Sequence, residues 1–233
     1  MTTAAAWQKI PSALPEKIST LLSASGDPAL DCLSLVVAFP EWEVPLPFGT
    51  SSSMTDVMAI TRNDHGLCTI AVEAKVDESF GPSVAEKKDY GSENVFKRIM
   101  KLEEHLKANA PFAGDIRYQL LHRTASALIT AEQFHAKTAV MLVQSFCNKG
   151  TRRESFDLFV SSMKAEQSKG SPNVYRVPGF DAPSLYLAWS GWTSSDDQFL
   201  KTDYKDMSTL DPVRQVFPRG RIAEEADKLT ASK

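Results

Sequence analysis

Apolar and polar residues follow two periods along this chain, one typical of strands and one typical of helices. Residues 139–146 form a nearly continuous apolar run, which is typical of a strand buried on both faces. In other segments the apolar residues recur every three or four positions, as they do on one face of an amphipathic helix. The pattern predicts helices over residues 15–23, 95–106, 115–134 and 153–163, and strands over residues 33–39, 54–61, 67–76, 139–146 and 184–189.

The connecting segments carry their own signals. The turn sequence Asn-Asp-His-Gly at residues 63–66 lies between the second and third predicted strands and predicts a β-hairpin. Residues 40–48 contain three prolines, which indicates an extended loop or a sheet edge. Residues 77–92 are polar and charged, so we expect a mobile loop over one end of the sheet. Asp115 is the expected N-cap of the helix that follows it.

The order of these elements predicts the fold class. A hairpin supplies antiparallel strands, and a helical crossover to the next strand supplies a parallel pair. We therefore expect an α/β fold with a central mixed β-sheet flanked by helices. The 233 residues fit a single domain over residues 1–233, with a core at about 15–192 and a polar C-terminal tail at about 193–233.

Composition narrows the class of protein. Hydrophobic residues make up 42% of the chain, which is enough for a substantial core. The formal net charge of −3 excludes a strongly basic protein, so nucleic-acid binding would depend on a local basic patch.

The cysteines and the apolar segments bear on location. Cys32, Cys68 and Cys147 are widely spaced and match neither a disulfide framework nor a zinc-ligand cluster. A reducing cytosol is the simplest compartment for such thiols. The N-terminus lacks the apolar segment of a secretory signal, and no apolar run is long enough to span a bilayer. We expect a soluble, cytoplasmic protein without a membrane partner.

The hairpin carries a candidate metal site. Because strand side chains alternate between faces, Glu73 and Lys75 share one face of the second hairpin strand. The position of the turn places Asp56 roughly opposite Glu73, where Cβ atoms are about 4.5–5.5 Å apart. Two carboxylates this close repel each other unless a cation lies between them, and Mg²⁺ prefers such hard oxygen ligands. The backbone carbonyl of Ala74 could supply a further oxygen.

This donor set predicts phosphodiester hydrolysis. A bound Mg²⁺ or Mn²⁺ would polarise the scissile phosphate and lower the pKa of a bound water. Lys75 would orient or deprotonate that water, or offset the charge developing on the phosphate. The alternative is that Glu73 and Lys75 are ordinary solvent-facing residues and that Asp56 caps a turn. The apolar strand behind them favours a cleft.

These residues resemble a known superfamily. Thr55-Asp56 stands where the PD-(D/E)XK nucleases, the restriction-endonuclease-like fold, have Pro-Asp, and Glu73-Ala74-Lys75 stands at their Glu-x-Lys. The helix–strand–strand–strand–helix–strand order of residues 15–146 covers the core of that fold. The resemblance implies a metal-dependent nuclease of DNA, with RNA left open.

The chain also resembles, over most of its length, an uncharacterised bacterial family. The similarity is carried by Phe39-Pro40-Glu41 with Val44-Pro45-Leu46-Pro47, by residues 71–76 with Phe80-Gly81-Pro82, and by residues 117–127. It implies a fold and a site but no substrate.

The helix after the hairpin contributes further candidates. In the superfamily a glutamine on this helix often abuts the active site, which makes Gln119 a catalytic candidate. Arg123 lies four residues later on the same helical face and could grip a phosphate with two hydrogen bonds. A helix-surface ion pair is the alternative for Arg123. His122 is a substrate-binding candidate that could act as an acid or base, with a structural role as its alternative.

Two functions therefore stand at this point. The first is a Mg²⁺- or Mn²⁺-dependent nuclease whose partner is nucleic acid, with a homodimer left open. The second is a non-catalytic nucleic-acid- or protein-binding module that retains the nuclease fold, and the negative net charge favours it. An open cleft at Asp56, Glu73 and Lys75 would favour hydrolysis. A cleft covered by residues 77–92 would favour the module.

Overall fold

The computed structural model of this chain describes Trp7 and residues 13–47, 52–76, 78–108, 110–146 and 151–192. The helices are α1 (Glu16–Ser23), α2 (Val84–Asp89), α3 (Glu93–His105), α4 (Tyr118–Gln133) and α5 (Thr151–Ser162), with a short 3-10 turn at Pro28–Leu30. The strands are β1 (Ser34–Pro45), β2 (Ser52–Asn63), β3 (Gly66–Lys75), β4 (Thr138–Ser145), β5 (Glu166–Gln167), β6 (Val174–Asp181) and β7 (Ser184–Gly191).

The seven strands form one mixed sheet in the order β1-β2-β3-β4-β7-β6-β5. Strands β1, β2 and β3 form an antiparallel meander. Strand β4 joins β3 in parallel after the crossover through α4, and β7 joins β4 in parallel. Strands β6 and β5 complete the sheet with antiparallel pairing. The predicted α/β class with a mixed sheet flanked by helices is confirmed.

Both faces of the sheet are covered by apolar side chains. On one face, Ile18 and Leu22 of α1 pack with Ile70 and Val72 of β3. On the other face, helices α3, α4 and α5 contribute buried residues such as Leu102 to a larger cluster. All eight residues of β4 are buried, which accounts for its nearly continuous apolar sequence.

The predicted helices and strands correspond to elements of the structure, with shifted ends. The structure extends the first predicted strand to Pro45, so most of the proline-rich segment continues edge strand β1, one of the two options predicted for it. None of the helices among the described residues is long and apolar enough to cross a membrane. The predicted tail at 193–233 lies outside the described residues.

Two local predictions are wrong. The segment predicted as a loop contains α2, because Ser83 and Glu86 form a capping box in which each side chain accepts the other residue's backbone N–H. Asp115 does not cap α4. That helix begins at Tyr118 with Arg117 as its N-cap, since Arg117 forms an antiparallel bridge with Ser83 that keeps the preceding residues extended.

Strand β6 and the two-residue β5 were not predicted. Strand β6 contains Pro178 and Gly179 in its second half, and its pairing with β7 is irregular there. Both residues are depleted in regular strands and interrupt the alternating pattern.

Candidate functional site

The predicted site lies where β2 and β3 separate. Their pairing ends at Val57 and Val72, after which β2 stays with β1 and β3 stays with β4. Asp56 is the first residue of β2 beyond the last pair. Its Oδ2 accepts a hydrogen bond of 2.7 Å from the backbone N–H of Ala74. The Asp56 carboxylate therefore replaces a main-chain acceptor and is held beside Glu73.

The Glu73 carboxylate is only 2% exposed and receives three donors. Lys75 Nζ and Gln119 Nε2 each lie 2.7 Å from its Oε1. Arg123 Nε donates to its Oε2. A buried carboxylate needs such partners because its ionised form is costly to remove from water. The contacts join β3 to the first two turns of α4.

Arg123 is itself held by a second set of contacts. Its Nη1 donates to Ser53 Oγ at 2.5 Å, and Ser53 Oγ lies 2.9 Å from His122 Nδ1. Arg123 is 7% exposed. The ion pair foreseen for Arg123 as the alternative to phosphate binding therefore exists, but it is buried against Glu73 and does not lie on the helix surface.

Lys75 is covered by the segment that follows β3. Its Nζ lies 5.4 Å from the centroid of the buried Phe80 ring and 4.0 Å from Glu78 Oε1. Arg152 on α5 donates to the backbone oxygens of Val76 and Glu78, at 3.0 and 2.6 Å. As a result, Lys75 is only 3% exposed.

The same segment is attached to the start of α4. The backbone N–H of Tyr118 donates to Pro82 O at 3.1 Å, and that of Val84 donates to Ile116 O at 2.8 Å. These bonds hold the segment over the buried end of the site. The arrangement is the covered cleft that the sequence argument associated with a binding module.

The surroundings of the site shift the pKa values of Asp56 and His122 in opposite directions. Burial, and then the neighbouring Glu73 charge, raise the pKa of Asp56, while the Ala74 N–H and nearby cations oppose the shift. Burial, and then the charges of Arg123 and three other cations, lower the pKa of His122 to about 3. His122 is therefore a neutral imidazole near pH 7, which suits a hydrogen bond to Ser53 better than a role as a charged acid.

The structure brings together five of the predicted residues, namely Asp56, Glu73, Lys75, Gln119 and Arg123. Ala74 contributes its N–H to Asp56. His122 contacts Ser53 and the ring of Tyr118, at a centroid distance of 5.0 Å.

Sequence reasoning missed three contributors to the site, Ser53, Phe80 and Arg152. Ser53 stands in a polar run with no distinctive pattern, and it meets Arg123 only because of the fold. Arg152 is 74 positions from Glu78 in the sequence, and it too reaches the site only because of the fold.

The carboxylates of Asp56 and Glu73 fit a hard divalent cation once one hydrogen-bond partner of Glu73 is displaced. No group of three or more His, Cys, Asp or Glu side chains in the described part of the chain is arranged to hold a metal. Asp56 and Glu73 supply two carboxylates, and the pKa of Asp56 is raised first by burial and then by the neighbouring Glu73 charge. Because three donors already occupy Glu73, a metal would have to displace at least one of them.

Comparisons with known proteins give one match. The model of a protein family described as "Domain of unknown function (DUF6946)" matches residues 1–192. No curated protein and no solved structure matches the chain.

Proposed function

Because the chain belongs to the DUF6946 family, a domain of unknown function, we propose a function from its site: metal-dependent hydrolysis of phosphodiester bonds in DNA, or in RNA. One observation carries this proposal. Asp56, Glu73 and Lys75 converge where the two strands of one hairpin separate, and Gln119 reaches Glu73 from the crossover helix. Two carboxylates and an amine in this arrangement suit the stabilisation of a reacting phosphate.

The order of the elements supports the proposal. Helix α1, the β1–β2–β3 meander, helix α4 and the parallel strand β4 follow one another as expected for a restriction-endonuclease-like core. In that comparison Asp56 stands on the second core strand, and Glu73 and Lys75 stand near the end of the third. A fold hosts many functions, so the side chains carry the argument and the fold adds weight to it.

Each residue has a distinct role in the proposed reaction. Asp56, Glu73 and the Ala74 carbonyl would hold Mg²⁺ or Mn²⁺, which supplies Lewis acidity and an activated water when bound. Lys75 is fixed by Glu73 next to that position and stabilises negative charge that develops on the phosphate. Gln119 orients Glu73 through its amide N–H.

Substrate access requires part of this site to open. Glu73 and Lys75 are 2% and 3% exposed, and Phe80 packs over Lys75. In the proposed working state the segment around Phe80 moves aside and Arg123 exchanges Glu73 for a phosphate oxygen.

The same burial favours a second candidate function. If Glu73, Lys75 and Arg123 only cross-link β3 to α4, the domain is a nucleic-acid- or protein-binding module that retains the fold. The specific observation that favours this module is that both carboxylate oxygens of Glu73 already have partners within the protein.

A cleavage assay distinguishes the two candidates. The full chain is incubated with supercoiled plasmid, single-stranded DNA and RNA, with Mg²⁺, Mn²⁺ or EDTA. Glu73→Gln and Lys75→Met are compared with Glu104→Gln and Lys101→Met, which change an exposed ion pair on α3. Circular dichroism verifies that every variant is folded.

Each outcome has a clear reading. Metal-dependent cleavage that Glu73→Gln and Lys75→Met both abolish, and that the α3 variants retain, supports the nuclease. Cleavage that persists in both site variants rejects the site. An absence of cleavage on every substrate with both metals rejects the nuclease and leaves the module.

A further inference from the structure

A basic cluster surrounds the imidazole of His122. The charges of Arg123, Lys87, Lys75 and Arg98 all act on this ring, and they come from four different elements. Contacts connect the cluster. Lys87 Nζ lies 5.5 Å from the centroid of the Tyr118 ring, and that ring lies 5.0 Å from His122.

Arg98 enters the cluster from α3. It is 8% exposed, and its side chain forms a hydrogen bond with the Tyr118 side chain. Burial raises the pKa of Tyr118, so this phenol is neutral at pH 7 and offsets none of the Arg98 charge. A structural link between α3 and α4 would need one cation, whereas four cations act on the neutral His122 ring.

The cluster carries surplus positive charge. Glu73 binds two of its members, Lys75 and Arg123. Asp56 and Glu78 are further carboxylates at this end of the sheet, and Glu78 Oε1 lies 4.0 Å from Lys75 Nζ. Glu86 caps α2 and lies 3.7 Å from a cation outside the cluster, Arg117. The four cations thus act beside three carboxylates among the described residues, in a protein whose formal net charge is −3.

The His122 tautomer that accepts from Ser53 at Nδ1 supplies a directed donor beside these charges. Arg123 can only donate, so Ser53 Oγ accepts from it and has its own proton available for His122 Nδ1. A neutral ring that accepts at Nδ1 carries its proton on Nε2. An N–H donor of this kind, close to lysine and arginine, matches the acceptor oxygens of a phosphate.

We infer that Lys87 and His122, with Arg98 and Arg123 behind them, form a phosphate-binding subsite beside the Asp56–Glu73 pair. The ligand class is a phosphate ester of a nucleic-acid strand. The role of this subsite in substrate binding rests on the proposed phosphodiester hydrolysis. Its ability to bind a phosphate group does not depend on that proposal. Lys87 and His122 are both half-buried, so they are the members of the cluster that a ligand can reach.

Calorimetric titration of the metal-free full chain tests the subsite. At constant ionic strength, the probes are inorganic phosphate and a short oligodeoxynucleotide with or without a 5′-phosphate. Lys87→Ala and His122→Asn each remove a ligand contact and should weaken binding about 10- to 150-fold, since a hydrogen bond to a charged group is worth about 1.5–3 kcal/mol. Lys88→Ala is the matched control, because it removes the same charge from the neighbouring position of α2.

Binding of phosphate and of the oligonucleotides, weakened by Lys87→Ala and His122→Asn but unchanged in Lys88→Ala, supports the subsite. Three results overturn it: no phosphate binding by the wild-type protein, equal weakening in Lys88→Ala, or binding of inorganic phosphate without binding of either oligonucleotide. If His122→Asn fails to fold, the comparison of Lys87→Ala with Lys88→Ala still tests the subsite.

Different results reject the phosphate-binding subsite and the proposed nuclease function. Metal-dependent cleavage without phosphate binding rejects the subsite alone. Phosphate and oligonucleotide binding without cleavage of any substrate rejects the nuclease and keeps the subsite.

Discussion

Glu73 holds the site together, because hydrogen bonds from one strand and one helix meet on its carboxylate. Its partner Arg123 also donates to Ser53, so a single guanidinium connects α4 to both β2 and β3. Removing one member of a buried ion pair is costly because the other member is left uncompensated.

Arg123→Gln should therefore lower the free energy of unfolding by about 2–3 kcal/mol, measured by urea denaturation. Arg117→Gln is the control, since Arg117 pairs with the more exposed Glu86 at 3.7 Å and should cost less than about 1 kcal/mol. In a Glu73→Gln background the effect of Arg123→Gln should shrink. Equal effects in both backgrounds would show that Arg123 does not stabilise the fold through Glu73.

The same substitution should change metal affinity in the opposite direction. In Arg123→Gln, Lys75 is the cationic partner that the described residues leave at hydrogen-bond distance from Glu73, so a divalent cation meets less competition. We expect calorimetry to show Mn²⁺ binding to Arg123→Gln about 10- to 150-fold tighter than to the wild-type protein, since a lost charged hydrogen bond is worth about 1.5–3 kcal/mol. Unchanged or weaker binding would contradict a metal site at Glu73.

His122 should make stability depend on pH. Its pKa in the folded protein is about 3, below the ordinary histidine value of 6.5, so between these values the unfolded chain binds a proton that the folded chain does not. The stability from neutral His122 is fully present above pH 6.5 and is lost as the pH falls towards 3. His122→Gln should flatten this part of the stability curve, measured by urea denaturation between pH 7 and pH 4. His65→Gln, a change in the exposed hairpin turn, should leave the slope unchanged.

At the scale of elements, α2 positions the cover of the site. Its capping box joins Ser83 and Glu86, and Lys87 lies on the same helix. Ser83→Ala should lower the free energy of unfolding by about 1 kcal/mol, the usual cost of losing an N-cap. Hydrogen exchange should show the loss of protection concentrated in residues 84–90. Loss spread evenly over the sheet would mean that α2 does not open as a separate unit.

The hairpin was predictable from the sequence because its signal is local. Alternation placed Glu73 and Lys75 on one shared face of β3, and the turn at residues 64–65 set a register in which Asp56 meets Glu73. The helix period likewise placed Gln119 and Arg123 on one face of α4. These features depend on spacings within one element or one turn.

The features of the site that the sequence did not predict depend mainly on contacts between distant parts of the chain. Ser53 and Arg123 are 70 positions apart, and no local pattern connects them. Helix α2 was overlooked although its Ser-Val-Ala-Glu sequence is a capping-box signature, because its polar composition resembles a loop. The burial of Lys75 follows from Phe80 packing over it, which the composition of a polar segment does not indicate.

For the whole molecule, net charge and local charge have opposite signs. A chain with a net charge of −3 gains little from general attraction to a polyanion, so nucleic-acid binding would depend on a local basic surface, for which we propose the cluster around His122. Two members of that cluster, Lys75 and Arg123, are already bound to Glu73 in this state. Lys87 contacts the Tyr118 ring and Arg98 bonds to the Tyr118 side chain, and we expect these two cations to act on backbone phosphates.

This charge distribution predicts a shallow salt dependence. Two neutralised phosphates correspond to a slope of about −2 in a plot of log K against log[NaCl] for a short DNA duplex. Fluorescence anisotropy with metal-free protein between 50 and 200 mM NaCl measures this slope, and Lys87→Ala should reduce it by about one, whereas Lys88→Ala should not. A slope of about −5 or steeper would require a basic surface beyond this cluster. A slope near zero would show that the cluster does not contact the backbone.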